Sequence, residues 1–149
     1  MIRKMRSEDK KTYMETAREF CHSHAVLHPV PDTYFERTAD EALRSDVYAE
    51  IFLFECENEA AGYGLIAKTY SQEAGGMVWW IEEVYVREAF RSKGIGREFF
   101  AYLDKVKGSA VTRMRLEVEE DNTRAVALYK KLGYKPLEYA QMIKDAPLK

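Results

Sequence analysis

A chain of 149 residues, 46% hydrophobic and 32% charged, has the size of one domain with a single core, and its apolar content argues against disorder. Its formal charge of -2 supplies no basic field, so nucleic acid is not an expected partner. No apolar run is long enough to span a bilayer and the charged start, residues 1–6, does not read as a secretory signal, so no membrane contact is expected and the expected location is cytoplasmic.

In chain order, residues 2–5 read as a short strand. Ser7 and Asp9 are capping residues for a helix whose stripe is Tyr13, Met14, Ala17, Phe20 and Cys21. That helix stops before Pro29. His22, His24 and His28 straddle its end and two prolines, a poor setting for a rigid metal geometry; no metal is expected, and these histidines fit the mouth of a substrate site better. Cys21 and Cys56, far apart and without a C-x-x-C, predict neither a disulfide nor a zinc framework. A second helix fits residues 33–44, with Tyr34, Phe35, Thr38 and Ala42 on one side. Residues 50–56 form a nearly continuous apolar run, as expected for a strand covered on both faces. After a polar turn at 57–59, residues 62–68 return as a strand, 70–76 form a loop, and 77–86 make the longest strand.

That strand runs into Arg91-Ser92-Lys93-Gly94-Ile95-Gly96-Arg97 and then directly into a helix. The first turn of a helix leaves backbone N–H groups unpaired and pointing one way, with the positive end of the helix dipole behind them. Gly94 and Gly96 remove the Cβ atoms that would hold an anion off, and Arg91, Lys93 and Arg97 add charge at the rim. A phosphate or pyrophosphate site is therefore predicted. It is not a dinucleotide fingerprint, because Phe99 stands where the third glycine belongs, and it is not a P-loop, because no Gly-Lys-Ser/Thr follows.

The helix carries Phe99, Phe100, Leu103 and Val106 and ends at Gly108. Residues 113–118 alternate Met114, Leu116 and Val118 against Arg113, Arg115 and Glu117, a strand with one buried face. Strand, helix and strand make a right-handed crossover with parallel pairing, so both strands end on the side of the anion loop. Asp121 and Asn122 cap a last helix over 123–132, closed by Gly133, and residues 134–143 are expected to supply the last strand.

The loop from Arg91 to Gly96 after a hydrophobic strand resembles the R/Q-x-x-G-x-G/A signature of the GCN5-related N-acetyltransferases, the GNAT family. The stretch Asn122-Thr123-Arg124-Ala125-Val126-Ala127-Leu128-Tyr129-Lys130-Lys131-Leu132-Gly133-Tyr134 is similar to the family's second motif, N-x-x-A-x-x-L-Y-x-x-x-G-F/Y. Both stand in order and in matching elements, and the likeness extends over essentially the whole chain. It implies an α/β fold in a single domain, residues 1–149: a mixed central sheet of about six to seven strands, splayed between its two parallel strands and flanked by about four helices. It also implies acetyl-CoA as co-substrate.

The resemblance further implies a set of roles. The parallel strands would splay at a bulge after Val86 and near Glu120. Backbone groups of Val84, Tyr85 and Val86 would meet the pantetheine arm and the acetyl carbonyl, Asn122 and Ala125 would border the arm, and Ser92, Lys93, Gly94, Ile95, Gly96 and Arg97, with Arg91, would hold the pyrophosphate. Tyr129 would protonate or hydrogen-bond the leaving thiolate. An acceptor ammonium must lose its proton before attack, and Glu82 and Glu83 are the candidate bases, with Glu82 preferred. Neighbours on a strand face opposite ways, so only one of the pair aims into the cleft unless a bulge intervenes.

The order Trp80-Ile81-Glu82-Glu83-Val84-Tyr85-Val86 is similar to the diamine and thialysine acetyltransferase branch, which would put Glu83 nearer the acceptor amine. Tyr34 and Trp80 are candidates to hold a cationic acceptor by cation–π contact. The expected acceptor is a small cationic amine, polyamine or amino-acid-like compound. The alternatives are a protein N-terminus or lysine, an acetyl-CoA sensor that transfers nothing, and a nucleotide-binding regulator. A homodimer joined through the last strands is also compatible with the resemblance.

Overall fold

The computed structural model describes residues 1–147. Strands β1 (Ile2–Lys4), β2 (Ala49–Cys56), β3 (Glu59–Ser71), β4 (Gly76–Val86) and β5 (Val111–Leu116) alternate with helices α1 (Lys10–Cys21), α2 (Asp32–Arg44), α3 (Ile95–Val106) and α4 (Thr123–Lys131) in the order β1-α1-α2-β2-β3-β4-α3-β5-α4. The five strands lie in that same order in one sheet, antiparallel from β1 to β4 and parallel between β4 and β5. Residues 1–117 form one compact unit and a second begins at Val118. Among the described residues no helix is long and apolar enough to cross a membrane.

The continuous apolar run of β2 is explained by burial on both faces. Ile51 and Leu53 join Tyr13, Ala17 and Cys21 of α1 and Phe35 and Ala39 of α2, residues spaced by one helical turn so that each helix lays one stripe on the sheet. Phe52 and Phe54 point the other way, their rings 5.7 and 5.0 Å from that of Phe99 on α3. Each such buried phenylalanine contributes about 1.5–3 kcal/mol by leaving water. Gly64 of β3 is what lets the tip of the Phe99 ring reach the strand, since a Cβ there would overlap it. The first strand is pinned by charge: Arg3 reaches Asp9 at 2.7 Å and Glu55 at 2.8 Å. Asp9 accepts the Arg6 N–H at 2.8 Å, so its carboxylate is turned back toward β1 and does not cap α1.

Two expectations change. The sheet has five strands among the described residues, not six or seven, because residues 134–143 form no strand. A strand exists only through a pairing, and residues 134–143 pair with no strand among the described residues; Pro136 withdraws a donor, and Tyr139, Met142 and Ile143 stand largely exposed. In the other direction, β3 extends past the predicted strand, with Tyr70 opposite Met77 and Ser71 opposite Gly76, so the predicted loop contracts to a turn closed by Gly75 at φ 73°.

Candidate active site

The strand β4 has two halves. From Met77 to Ile81 it lies between β3 and β5, and the last parallel pair is Ile81 with Leu116; from there to Val86 it pairs with β3 alone. The backbone edge of residues 82–86 that would have faced β5 is thus left without a strand partner among the described residues. On the β3 side, Leu65 opposes Glu83 while Ile66 opposes Ile81, so Glu82 is an extra residue with no partner. This bulge sits at Glu82, not after Val86 as expected, and pairing on the β5 side stops at Leu116, ahead of the expected Glu120. A bulge adds twist to the strand that carries it, which draws β4 away from β5 at that residue.

The bulge also decides where the two acids go. Alternation would send them to opposite faces, but with one extra residue inserted both lie on the face that bears α1 and α2. Glu83 accepts a hydrogen bond from the Tyr63 hydroxyl at 2.9 Å, and Tyr63 is fully buried with its ring 5.1 Å from Tyr13. Burial raises the Glu83 carboxyl above its ordinary range, the Tyr63 hydrogen bond opposes that, and the neighbouring charge of Glu82 adds to it. Burial likewise pushes the phenols of Tyr63 and Tyr13 up, so both stay protonated. Glu82 is more open to solvent, yet the cleft walls still strip water from it and raise its carboxyl, with the like charge of Glu117 as the second cause.

A pocket of about 570 Å³ opens on this face; Thr69, Ser71, Trp80, Glu82, Arg115 and Glu117 are among the residues that line it. Trp80 is directly opposite Arg115 in the parallel register, and the guanidinium carbon lies 3.8 Å from the Trp80 ring centroid. Tyr34 is not among the lining residues: it sits on α2 with Arg37 over its ring at 5.3 Å. Arg115, Glu117 and Tyr63 were not singled out from sequence. The alternation of β5 marked Arg115 and Glu117 as its polar face, and the signal needed to place them beside Trp80 and Glu82 was the parallel register.

Past Val86, Arg87 clamps the strand end, pairing with Glu19 of α1 at 2.6 Å and donating to the Ala60 carbonyl at 3.1 Å. The loop then turns through Ser92 and Gly94, both left-handed at φ 64° and 79°, before α3 starts at Ile95. The first helical hydrogen bond runs from the Glu98 N–H to the Gly94 carbonyl, so the N–H groups of Ile95, Gly96 and Arg97 precede it and have no helical acceptor. A Cβ on Gly94 or Gly96 would meet nothing within 4 Å, so both glycines face open space. The Arg91 Nε donates to the Val86 carbonyl at 2.9 Å, which ties the loop to the end of β4, while Lys93 stands 3.6 Å from Glu57. The side chains of Tyr85 and Ile95 are buried, leaving only their backbone groups for a ligand.

In the second unit, the Asn122 side chain accepts the Ala125 N–H at 3.3 Å and so caps α4. Tyr129 packs its ring 6.1 Å from that of Tyr134, and burial raises its phenol, which keeps it protonated at neutral pH.

The chain matches the family model of the acetyltransferase (GNAT) family over residues 10–134. The thialysine N-epsilon-acetyltransferase of Mus musculus is 31% identical over 150 residues, spanning 91% of this chain and 84% of that protein. Among solved structures, a possible acetyltransferase from Clostridium difficile 630 superposes with a TM-score of 0.85 at 21% identity, covering 99% of this chain and 98% of the other. The aminoglycoside acetyltransferase AAC(6')-Iy, in complex with a CoA-linked bisubstrate analogue, superposes with a TM-score of 0.80 at 17% identity over 99% and 98% of the two chains.

Proposed function

This chain belongs to the GNAT family of acetyltransferases and is an acetyl-CoA-dependent enzyme; from that premise we propose that its acceptor is the primary amine of a small cationic compound, amino-acid-like or polyamine, attacked directly in a ternary complex. The observation that carries this reading is the bulge at Glu82, which turns two carboxylates onto one face beside an open pocket, at the residue where β4 parts from β5. The identity to a thialysine acetyltransferase supports an amine of that kind.

When bound, acetyl-CoA supplies the acetyl thioester; the protein has to hold it and move two protons. The open N–H groups at the start of α3, with Arg91, Ser92, Lys93, Gly94 and Arg97 around them, suit the pyrophosphate, and the N–H groups along the edge at Val84 and Val86, which no strand pairs among the described residues, suit the arm and the acetyl carbonyl, while the Val86 carbonyl is held by Arg91. An alkylammonium with a pKa of about 10.4 is almost wholly protonated at neutral pH, so a base must act first. Glu82 takes that proton, directly or through one water. Its neighbour Glu83, fixed by Tyr63, holds the ammonium near the acetyl group by charge. Asn122 and Ala125 border the arm, and Tyr129 returns a proton to the leaving thiolate, both roles resting on their places in the second motif.

The test is thiol release from acetyl-CoA by the purified protein with diamines, polyamines, basic amino acids and short peptides. Turnover is expected with small amines carrying a free ammonium; saturable acetyl-CoA binding with no thiol release on any of them would assign the chain to cofactor sensing instead. In the same assay Tyr129→Phe is expected to lower kcat by about 10- to 100-fold, with acetyl-CoA affinity within twofold of the parent. A fully active variant would remove Tyr129 as the acid.

A further inference from the structure

The pocket beside Glu82 holds one cation that the reaction as described does not use. Lys68 is engaged elsewhere, with Glu50 at 2.7 Å and the Asp46 carbonyl at 2.7 Å. Arg113 points toward Glu73 at 3.9 Å. Arg115, by contrast, forms no ion pair or hydrogen bond among the described residues, although Glu82 and Glu117 are on the same stretch of sheet. Its partner is the Trp80 ring, over which the guanidinium carbon sits 3.8 Å from the centroid. Stacking engages the face of a guanidinium and leaves its N–H edge, the fork that fits a carboxylate with two parallel hydrogen bonds.

Position along the strands gives the arrangement a length. Arg115 and Glu117 are two residues apart at the end of β5, a step of ~6.6 Å in extended chain, and Glu82, the extra residue of the bulge on β4, lines the same pocket as both. An acceptor with its carboxylate on Arg115 would therefore set an amine at Glu82 and Glu117 if the two groups were separated by about five or six bonds, at typical backbone-like bond lengths. A diamine of the same length would instead put its second ammonium against the Arg115 charge.

We propose that Arg115, seated over the Trp80 ring, receives the carboxylate of the acceptor, so that the site selects ω-amino acids of lysine-like length over diamines. This rests on the acceptor being a small amine, and it adds which kind. Arg115 would act on binding, and its signature would be a change in KM confined to carboxylate-bearing acceptors.

The experiment compares thialysine with the diamine left when its carboxylate is removed, in the parent protein and in Arg115→Met and Arg115→Lys, with acetyl-CoA saturating. The parent is expected to favour thialysine by about 10-fold or more in kcat/KM. Arg115→Met should raise KM for thialysine by about 10- to 100-fold, leave kcat within threefold, and leave or improve turnover of the diamine; Arg115→Lys should recover part of the loss. Unchanged diamine turnover also serves as the control for folding. A parent that prefers the diamine, or an Arg115→Met variant that affects both acceptors alike or neither, overturns the proposal. Absence of turnover with every amine is a different failure, that of the small-amine reading itself, and this proposal falls with it.

Discussion

Glu82→Gln is expected to lower kcat by about 100- to 10,000-fold, the usual worth of a positioned base, while acetyl-CoA affinity stays within twofold of the parent. The amide keeps the size of the side chain and its place on the bulge but cannot accept the ammonium proton. Glu83→Gln should cost less, because Glu83 is already committed to the Tyr63 hydroxyl at 2.9 Å and its loss acts on acceptor binding. Rapid measurement of kcat and KM for both variants with one saturating amine separates the roles; a larger kcat loss for Glu83→Gln would exchange them.

The same assignment fixes a pH dependence. The base acts as a carboxylate, and burial together with the charge of Glu117 raises its pKa, so activity should rise with pH through a limb above the ordinary glutamate range. Glu117→Gln removes the like charge. The anion at Glu82 then becomes easier to form, and the acid limb should move to lower pH. Profiles of kcat/KM for the parent and Glu117→Gln with one acceptor keep the acceptor's own titration constant, so a displacement of the limb reports Glu82. A limb that stays in place would mean that another group governs it.

Gly62→Ala is expected to cost about 3 kcal/mol of stability, at the upper end for overpacking. Gly62 lies opposite Val86, and a Cβ there would overlap the Tyr85 carbonyl oxygen and sit 3.0 Å from the Val86 Cα. These are backbone atoms of the strand end that Arg87 clamps to α1, so they cannot swing aside as a side-chain tip would. The contrast is Gly94→Ala, where the Cβ meets nothing within 4 Å and only the left-handed φ of 79° is penalised, by about 1–2 kcal/mol. Urea midpoints of the two variants should therefore rank Gly62→Ala well below Gly94→Ala. Equal midpoints would show that the β3–β4 pair yields more readily than its backbone contacts suggest.

Much of this protein was legible from local chemistry. The glycines at 94 and 96 between a strand and an amphipathic helix predict an anion-binding turn because torsion freedom, unpaired N–H groups and helix dipole are all properties of a few consecutive residues. The stripes of α1 and α3, the unbroken apolar run of β2 and the capped helix ending at Gly133 are likewise written in spacing. Two motifs in order then sufficed for the family. What sequence could not carry were facts of pairing. Whether residues 134–143 form a strand depends on a partner edge, not on their own apolar content.

The bulge at Glu82 depends on how β4 registers against β3, and its side chain turns with Glu83 to one face only because Leu65 and Ile66 fix that register. Arg115 and Glu117 looked like the solvated side of a strand until the parallel pairing of Ile81 with Leu116 set them beside Trp80 and Glu82. Residue types and their local period determined the elements and the anion loop, whereas the acceptor pocket was decided by hydrogen-bond register between strands distant in sequence, which no local pattern encodes.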